Sequence, residues 1–123
     1  MWKRDPLHNL SHGATAIQVA RWYYLAVTRR LVADEYFNDL KDIMSMPGIH
    51  HKFVKGLKEE SPGARIFRKS GTWREFHADS GVVVDDANGH AYIIVAIAEH
   101  PYGAEGLVRL AQAVDRAIKN LHD

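Results

Sequence analysis

The strongest constraint on the fold is a short turn signal between two apolar runs. Ala78 to Asp85 and Tyr92 to Ala98 both read as strands, and Asp85-Asp86-Ala87-Asn88-Gly89 lies between them. Asn-Gly flanked in this way is the clearest local cue for a β-hairpin, because both residues accept the positive φ of a tight turn. An antiparallel pair is therefore expected. Upstream, Ser61-Pro62-Gly63 reads as a turn and Ala64 to Gly71 as a further strand, which makes a three-stranded meander. The unbroken apolar character of Tyr92 to Ala98 predicts burial on both faces.

Helical patterns flank the meander. Thr15-Ala16-Ile17-Gln18 fits a capping box, in which the Thr hydroxyl and the Gln side chain satisfy orphan N–H groups reciprocally. Ile17, Ala20, Tyr24, Val27 and Leu31 follow at helical spacing, with Trp22, Tyr23 and Leu25 off the stripe. A helix this apolar all round is expected to be buried on more than one face, with Arg29 and Arg30 in its last turn. A second helix is predicted from Asp34 to Met44 on the stripe Phe37, Leu40, Ile43 and Met44. After the break at Pro47-Gly48, a third is predicted from Ile49 to Leu57, burying Phe53, Val54 and Leu57. The last, Ala104 to Leu121, carries Leu107, Leu110, Ala111, Val114, Ile118 and Leu121, and should pack on the sheet. Helices, an antiparallel meander and a closing helix make an α+β fold. At 123 residues the chain is expected to form a single domain, 1–123.

Composition removes several functions. Sixteen basic against fifteen acidic residues leave a formal charge of +1, too weak a field for a phosphate-backbone binder, so no nucleic-acid partner is expected. There is no cysteine, hence no disulfide, thiolate nucleophile or Cys-based metal site. His8 and His12 have a ligand-like spacing but precede the helix cap, and His50 and His51 diverge, so neither a metal nor another cofactor is expected. The longest apolar run, Ala91 to Ala98, is eight residues, against about 20 for a membrane span. No apolar stretch follows the charges of Met1 to Pro6, and the chain as written is expected to stay in the cytoplasm. His77, Asp79 and Ser80 suggest a triad by residue type, but strand neighbours alternate faces and cannot converge. Trp22, Tyr23 and Tyr24 are expected to be core.

One segment carries chemistry. Arg68-Lys69-Ser70-Gly71-Thr72 closes a strand and precedes a polar connection. A Lys there projects charge into a bordering cleft, Ser offers a hydroxyl, and Gly allows a ligand near the backbone. Lys69-Ser70-Gly71 resembles the Lys-Thr/Ser-Gly box of class A β-lactamases and penicillin-binding proteins. In that family the box lies on the first strand of a C-terminal meander, and a long helix ends the chain. Ser11 to Ala20 resembles the capped helix after the family's Ω-loop, and Leu31-Val32-Ala33-Asp34-Glu35 resembles the start of the next helix. The resemblance runs along nearly the whole chain, but covers only the C-terminal part of the family's fold, less than half of it.

The resemblance implies roles. Lys69 and Ser70 would hold a substrate carboxylate, Gly71 would leave room beside it, and the Thr72 N–H would be one of two oxyanion donors. Many relatives place an Arg near the start of the second meander strand. Here that stretch reads His77-Ala78-Asp79-Ser80-Gly81, and Arg74 is the nearest replacement. The nucleophile motif Ser-x-x-Lys is missing. The residues three positions after Ser11, Ser45, Ser61, Ser70 and Ser80 are Ala14, Gly48, Ala64, Trp73 and Val83. Ser-Asp-Asn and the Ω-loop Glu are also absent. Tyr36-Phe37-Asn38 matches a variant motif on paper but lies on the wrong side of the capped helix, and Arg4-Asp5 resembles the tail of the loop.

The expectation is a truncated β-lactamase-like fragment, inactive alone, with no catalytic residue of its own. The alternative is a non-catalytic α+β module that binds a ligand or a protein. Full-length relatives are typically exported. In the family two N-terminal strands pair beside the third meander strand. Without them Tyr92 to Ala98 would be an open apolar edge, and a homodimer burying that edge or the uncovered apolar face is expected.

Overall fold

The computed structural model describes residues 13–45, 48 and 50–121. Readings that fall on Arg4, Asp5, His8, Ser11, His12, Pro47 and Ile49 lie outside the described residues. The order is α1 (Ala16–Val27), α2 (Asp34–Ser45), α3 (Phe53–Glu60), β1 (Arg65–Trp73), β2 (Phe76–Asp85), β3 (His90–Glu99) and α4 (Gly103–Leu121). The strands form one antiparallel sheet in the order β1-β2-β3. Lys69 pairs with Ser80, Ser70 with Asp79, and Val83 with Tyr92. The α+β meander is as expected. Its strands run longer than their apolar cores, because the β1–β2 connection is a two-residue turn at Arg74 and Glu75.

Strand alternation gives the sheet two faces. Ile66, Arg68, Asp79, Val83 and Ile94 face α3 and α4, where Phe53, Leu57, Leu107 and Ala111 complete the core. Phe67, Lys69, Ser80 and Val82 lie on the other face, under α1 and α2. Asp115 anchors α4. It is fully buried, accepts from Ser61 Oγ at the end of α3 and from Tyr92 Oη (2.8 Å), and pairs with Lys119 at 3.1 Å.

The capping box at Thr15 and Gln18 is present. The burial of α1 is reversed from the expected stripe. Ile17 (78 % exposed), Tyr24 and Val27 lie outside, while the off-stripe Tyr23 and Ala26 are buried, and Trp22 is only partly covered. The polar end of Tyr23 decides this: its hydroxyl donates to the Ser80 carbonyl at 3.1 Å and meets Ser80 Oγ at 3.0 Å, partners that exist on one side only. The helix also stops before Arg29 and Arg30. Arg30 N–H bonds the Leu25 carbonyl and Arg29 N–H the Ala26 carbonyl, a Schellman closure with Arg29 at φ 60°. The guanidinium of Arg29 lies 4.4 Å from the Phe37 ring centroid, a cation–π contact that helps offset the left-handed backbone.

α3 begins at Phe53, later than expected. Lys52 has φ 52° and ψ −120°, which no helix continues, and the Asp79 carboxylate accepts the Phe53 N–H from β2 at 3.0 Å. Burial of β3 on both faces is partial. Ile94 is buried, Ile93 and Val95 half-buried, and Ile97 53 % exposed. On α4, Leu107 and Ala111 are buried while Leu110 and Leu121 are exposed. α2 buries no residue fully, and Ile43 of its expected stripe is exposed.

Candidate functional site

β1 pairs on one side only among the described residues, and the box occupies that edge. Lys69 is exposed, and its Nζ donates to the Ser70 carbonyl. Its own carbonyl accepts from Ser80 Oγ at 2.8 Å, and Ser80 Oγ also meets the Tyr23 hydroxyl. The backbone of the box is thus tied through β2 to α1. Burial raises the Tyr23 phenol above its ordinary value, so the hydroxyl stays protonated and donates.

Gly71 is exposed, and a Cβ there would meet nothing within 4 Å. Beside it a cavity of about 620 Å³ is bounded by Lys69, Ser70 and Gly71 on the sheet and by Gln18, Val19 and Trp22 on α1. The sequence-predicted residues Lys69, Ser70, Gly71 and Thr72 are therefore contiguous along an open edge, with the Lys69 side chain on the α1–α2 face of the sheet and those of Ser70 and Thr72 on the α3–α4 face. Arg74 stands apart at the hairpin tip, at φ 52°, with its guanidinium 5.5 Å from the Trp73 ring centroid.

The residue that sequence reading missed is Lys52. It is 1 % exposed, and its Nζ donates to the Gly71 carbonyl (2.7 Å), Thr72 Oγ1 (2.7 Å) and the Ala78 carbonyl (3.2 Å). Gly71 and Ala78 are register partners, so one ammonium fastens β1 to β2 at the box. Burial lowers its pKa, Arg68 and Lys69 lower it further, and Asp79 opposes them. In the sequence Lys52 falls within the helix predicted from Ile49 to Leu57, off its apolar positions Phe53, Val54 and Leu57, and nothing local marks it.

Below Lys52 lies a buried ion pair. Arg68 donates to Asp79 through Nε (2.9 and 3.1 Å) and Nη2 (2.8 Å), and Asp79 also accepts the Ser80 N–H at 2.9 Å. Arg68 Nη2 further meets His51 Nδ1 at 2.9 Å. Burial first, then Arg68 and Lys52, lower the His51 pKa, so the ring is neutral and accepts. The acid in the second strand is thus neutralised inside the protein rather than presented to the cleft. No triad forms: Asp79 is committed to Arg68, and Ser80 faces the other side of the sheet from His77.

The box lies on an edge strand beside an open cavity, and comparison with known proteins bears on the fold. The beta-lactamase enzyme family profile matches residues 6–121. The structure of PBP-A aligns with a TM-score of 0.76 at 22% identity, covering 84% of this chain and 39% of that one. A PBP-A variant solved as an acyl-enzyme complex with penicillin G aligns equally well, with the same TM-score, identity and coverage. The chain therefore spans about two-fifths of the length of these relatives. No match was found among curated proteins. With the profile match running almost end to end, the chain belongs to the beta-lactamase enzyme family.

Proposed function

We propose that this chain forms the Lys-Ser-Gly wall of a penicillin-recognising serine hydrolase cleft, and that acyl transfer needs a nucleophile from residues outside these 123. The observation that carries the reading is the contiguous box on a strand edge that is unpaired among the described residues, open at Gly71 and bordered by a cavity. Lys69 and Ser70 meet the substrate carboxylate at the strand edge, one from each face of β1. The Thr72 N–H stabilises the oxyanion, and Lys52 holds the strand end that presents it. None of the five serines is followed by Lys at the third position. Losing one oxyanion donor costs on the order of 10²–10³ in rate, so an isolated wall without nucleophile and second donor is inert.

The test is hydrolysis of nitrocefin and of a chromogenic ester by the purified chain and its Lys69→Ala variant. No turnover is expected from either. Turnover by the pure chain that survives Lys69→Ala overturns the reading. Mixed with a polypeptide that carries Ser-x-x-Lys and completes the fold, the chain is expected to support labelling by a fluorescent penicillin. Lys69→Ala should lower that labelling at least about 100-fold, the scale of one lost charge-stabilising group.

We also propose that a second copy covers the outer edge of β3. Among the described residues this ten-residue strand pairs on one side only and leaves Ile97 exposed. Long apolar edges are natural pairing templates. Light scattering should give a dimer that Ile97→Lys dissociates, and a monodisperse monomer at high concentration refutes it.

A further inference from the structure

A second cavity, of about 230 Å³, lies between α1, α2 and the sheet; no residue of the box lines it, and it shares Trp22, Tyr23 and Met44 with the cavity beside the box. Its walls are hydrocarbon and aromatic: Trp22 and Ala26 from α1, Phe37 and Leu40 from α2, Phe67 and Val82 from the sheet. Among the described residues one charged side chain lines it, Lys41. A second cation stands nearby, because the Arg29 guanidinium lies across Phe37 at 4.4 Å. Helical spacing puts Lys41 on the side of Phe37 and Leu40. The exposed acids Glu35, Asp39 and Asp42 recur at i, i+4 and i+7 on the outer side of α2. Asp34 is the one acid of α2 on the side of Lys41, two turns away.

The shape and chemistry select a ligand class. An apolar cavity of about 150 Å³ stays dry and takes a six-carbon ring, so one of this size takes about nine carbons on the same ratio. Apolar walls exclude a polar body, and cations at the opening favour a negative head. We propose that this cavity binds a medium-chain aliphatic carboxylate, with the chain among Trp22, Phe37 and Phe67 and the head group at Lys41. The site is independent of the hydrolase reading.

The test titrates the purified chain with decanoate, decanol and decyltrimethylammonium, each below its micelle concentration, by calorimetry and methyl NMR. Decanoate is expected to bind one per chain, at least about tenfold tighter than the cationic amphiphile, with methyl shifts at Leu40 and Val82. Lys41→Glu should weaken decanoate at least about fivefold and leave decanol unchanged. Ala91→Leu, at the exposed rim of the cavity, should weaken both. Absence of saturable binding overturns the proposal. So do equal affinities for all three amphiphiles, shifts confined to other surfaces, or indifference to either substitution.

Discussion

Asp79→Ala should be the most damaging single substitution in the polar interior. The Asp79 side chain is fully buried and that of Arg68 is 2 % exposed. Truncating the acid leaves a guanidinium without its carboxylate in a place water does not reach. It also strands the Phe53 N–H, which loses the acceptor that starts α3. Breaking a buried pair from one side costs about 3–5 kcal/mol, and a lost cap about 1 kcal/mol, partly within that range. At about 4 °C per kcal/mol for a chain of this size, the melting temperature should fall by about 12–20 °C. Urea unfolding of wild type, Asp79→Ala, Arg68→Met and the double variant Arg68→Met/Asp79→Ala closes the cycle. The double variant removes both charges together, so it should be at least about 2 kcal/mol less destabilised than the two single losses summed. A cost below about 1 kcal/mol for Asp79→Ala, or strict additivity in the cycle, refutes the claim that this pair is desolvated and coupled.

Gly56→Ala should cost about 1–3 kcal/mol by thermal melting, because its Cβ would lie 2.5 Å from the Val108 carbonyl and force α3 off α4. Gly63→Ala, with nothing within 4 Å, should stay within about 0.5 kcal/mol. Burial pushes the Asp115 carboxyl up, but hydrogen bonds from Ser61 and Tyr92 and the Lys119 ammonium outweigh it and hold its pKa below the ordinary value; the Asn88 contacts lower that of Asp85. Both acids favour the folded state above the unfolded value of about 4, and that stability is lost as pH falls through their folded values. Urea midpoints should therefore drop below about pH 4, less steeply in Asp115→Asn. Tyr23→Phe should cost about 1 kcal/mol in urea by removing the hydroxyl from Ser80. Ile17→Lys, at a 78 % exposed position, should leave the stability of this chain within about 0.5 kcal/mol. The same variant should abolish penicillin labelling of the complemented assembly.

Local chemistry was legible where a signal lies within a few residues. The Thr15–Gln18 cap and the Asn88-Gly89 turn each specify geometry by themselves, and the order of elements follows from them. The box was legible because its residues are consecutive. Lys52 was not, because its role depends on carbonyls of Gly71 and Ala78 brought to it by the sheet. The pairing of Asp79 with Arg68 was not legible either, because it depends on strand register and not on local spacing. The late start of α3 has the same origin, since its capping carboxylate comes from another strand.

The misread helix α1 links folding to function. It carries two apolar stripes at helical spacing, Ile17-Ala20-Tyr24-Val27 and Val19-Trp22-Tyr23-Ala26, so periodicity alone cannot choose between them. Ser80 chooses the second through the Tyr23 hydroxyl. The first stripe is then left largely uncovered in the described structure: Ile17 and Tyr24 are exposed, and Val27 is partly covered at the cavity between α1 and α2. A soluble helix gains nothing from a second apolar face unless something packs on it. Under the proposed function that face has a purpose. α1 also walls the cavity beside Lys69, Ser70 and Gly71, through Gln18, Val19 and Trp22 of its other side, so under that proposal a nucleophile-bearing segment that reaches the box would run along this helix.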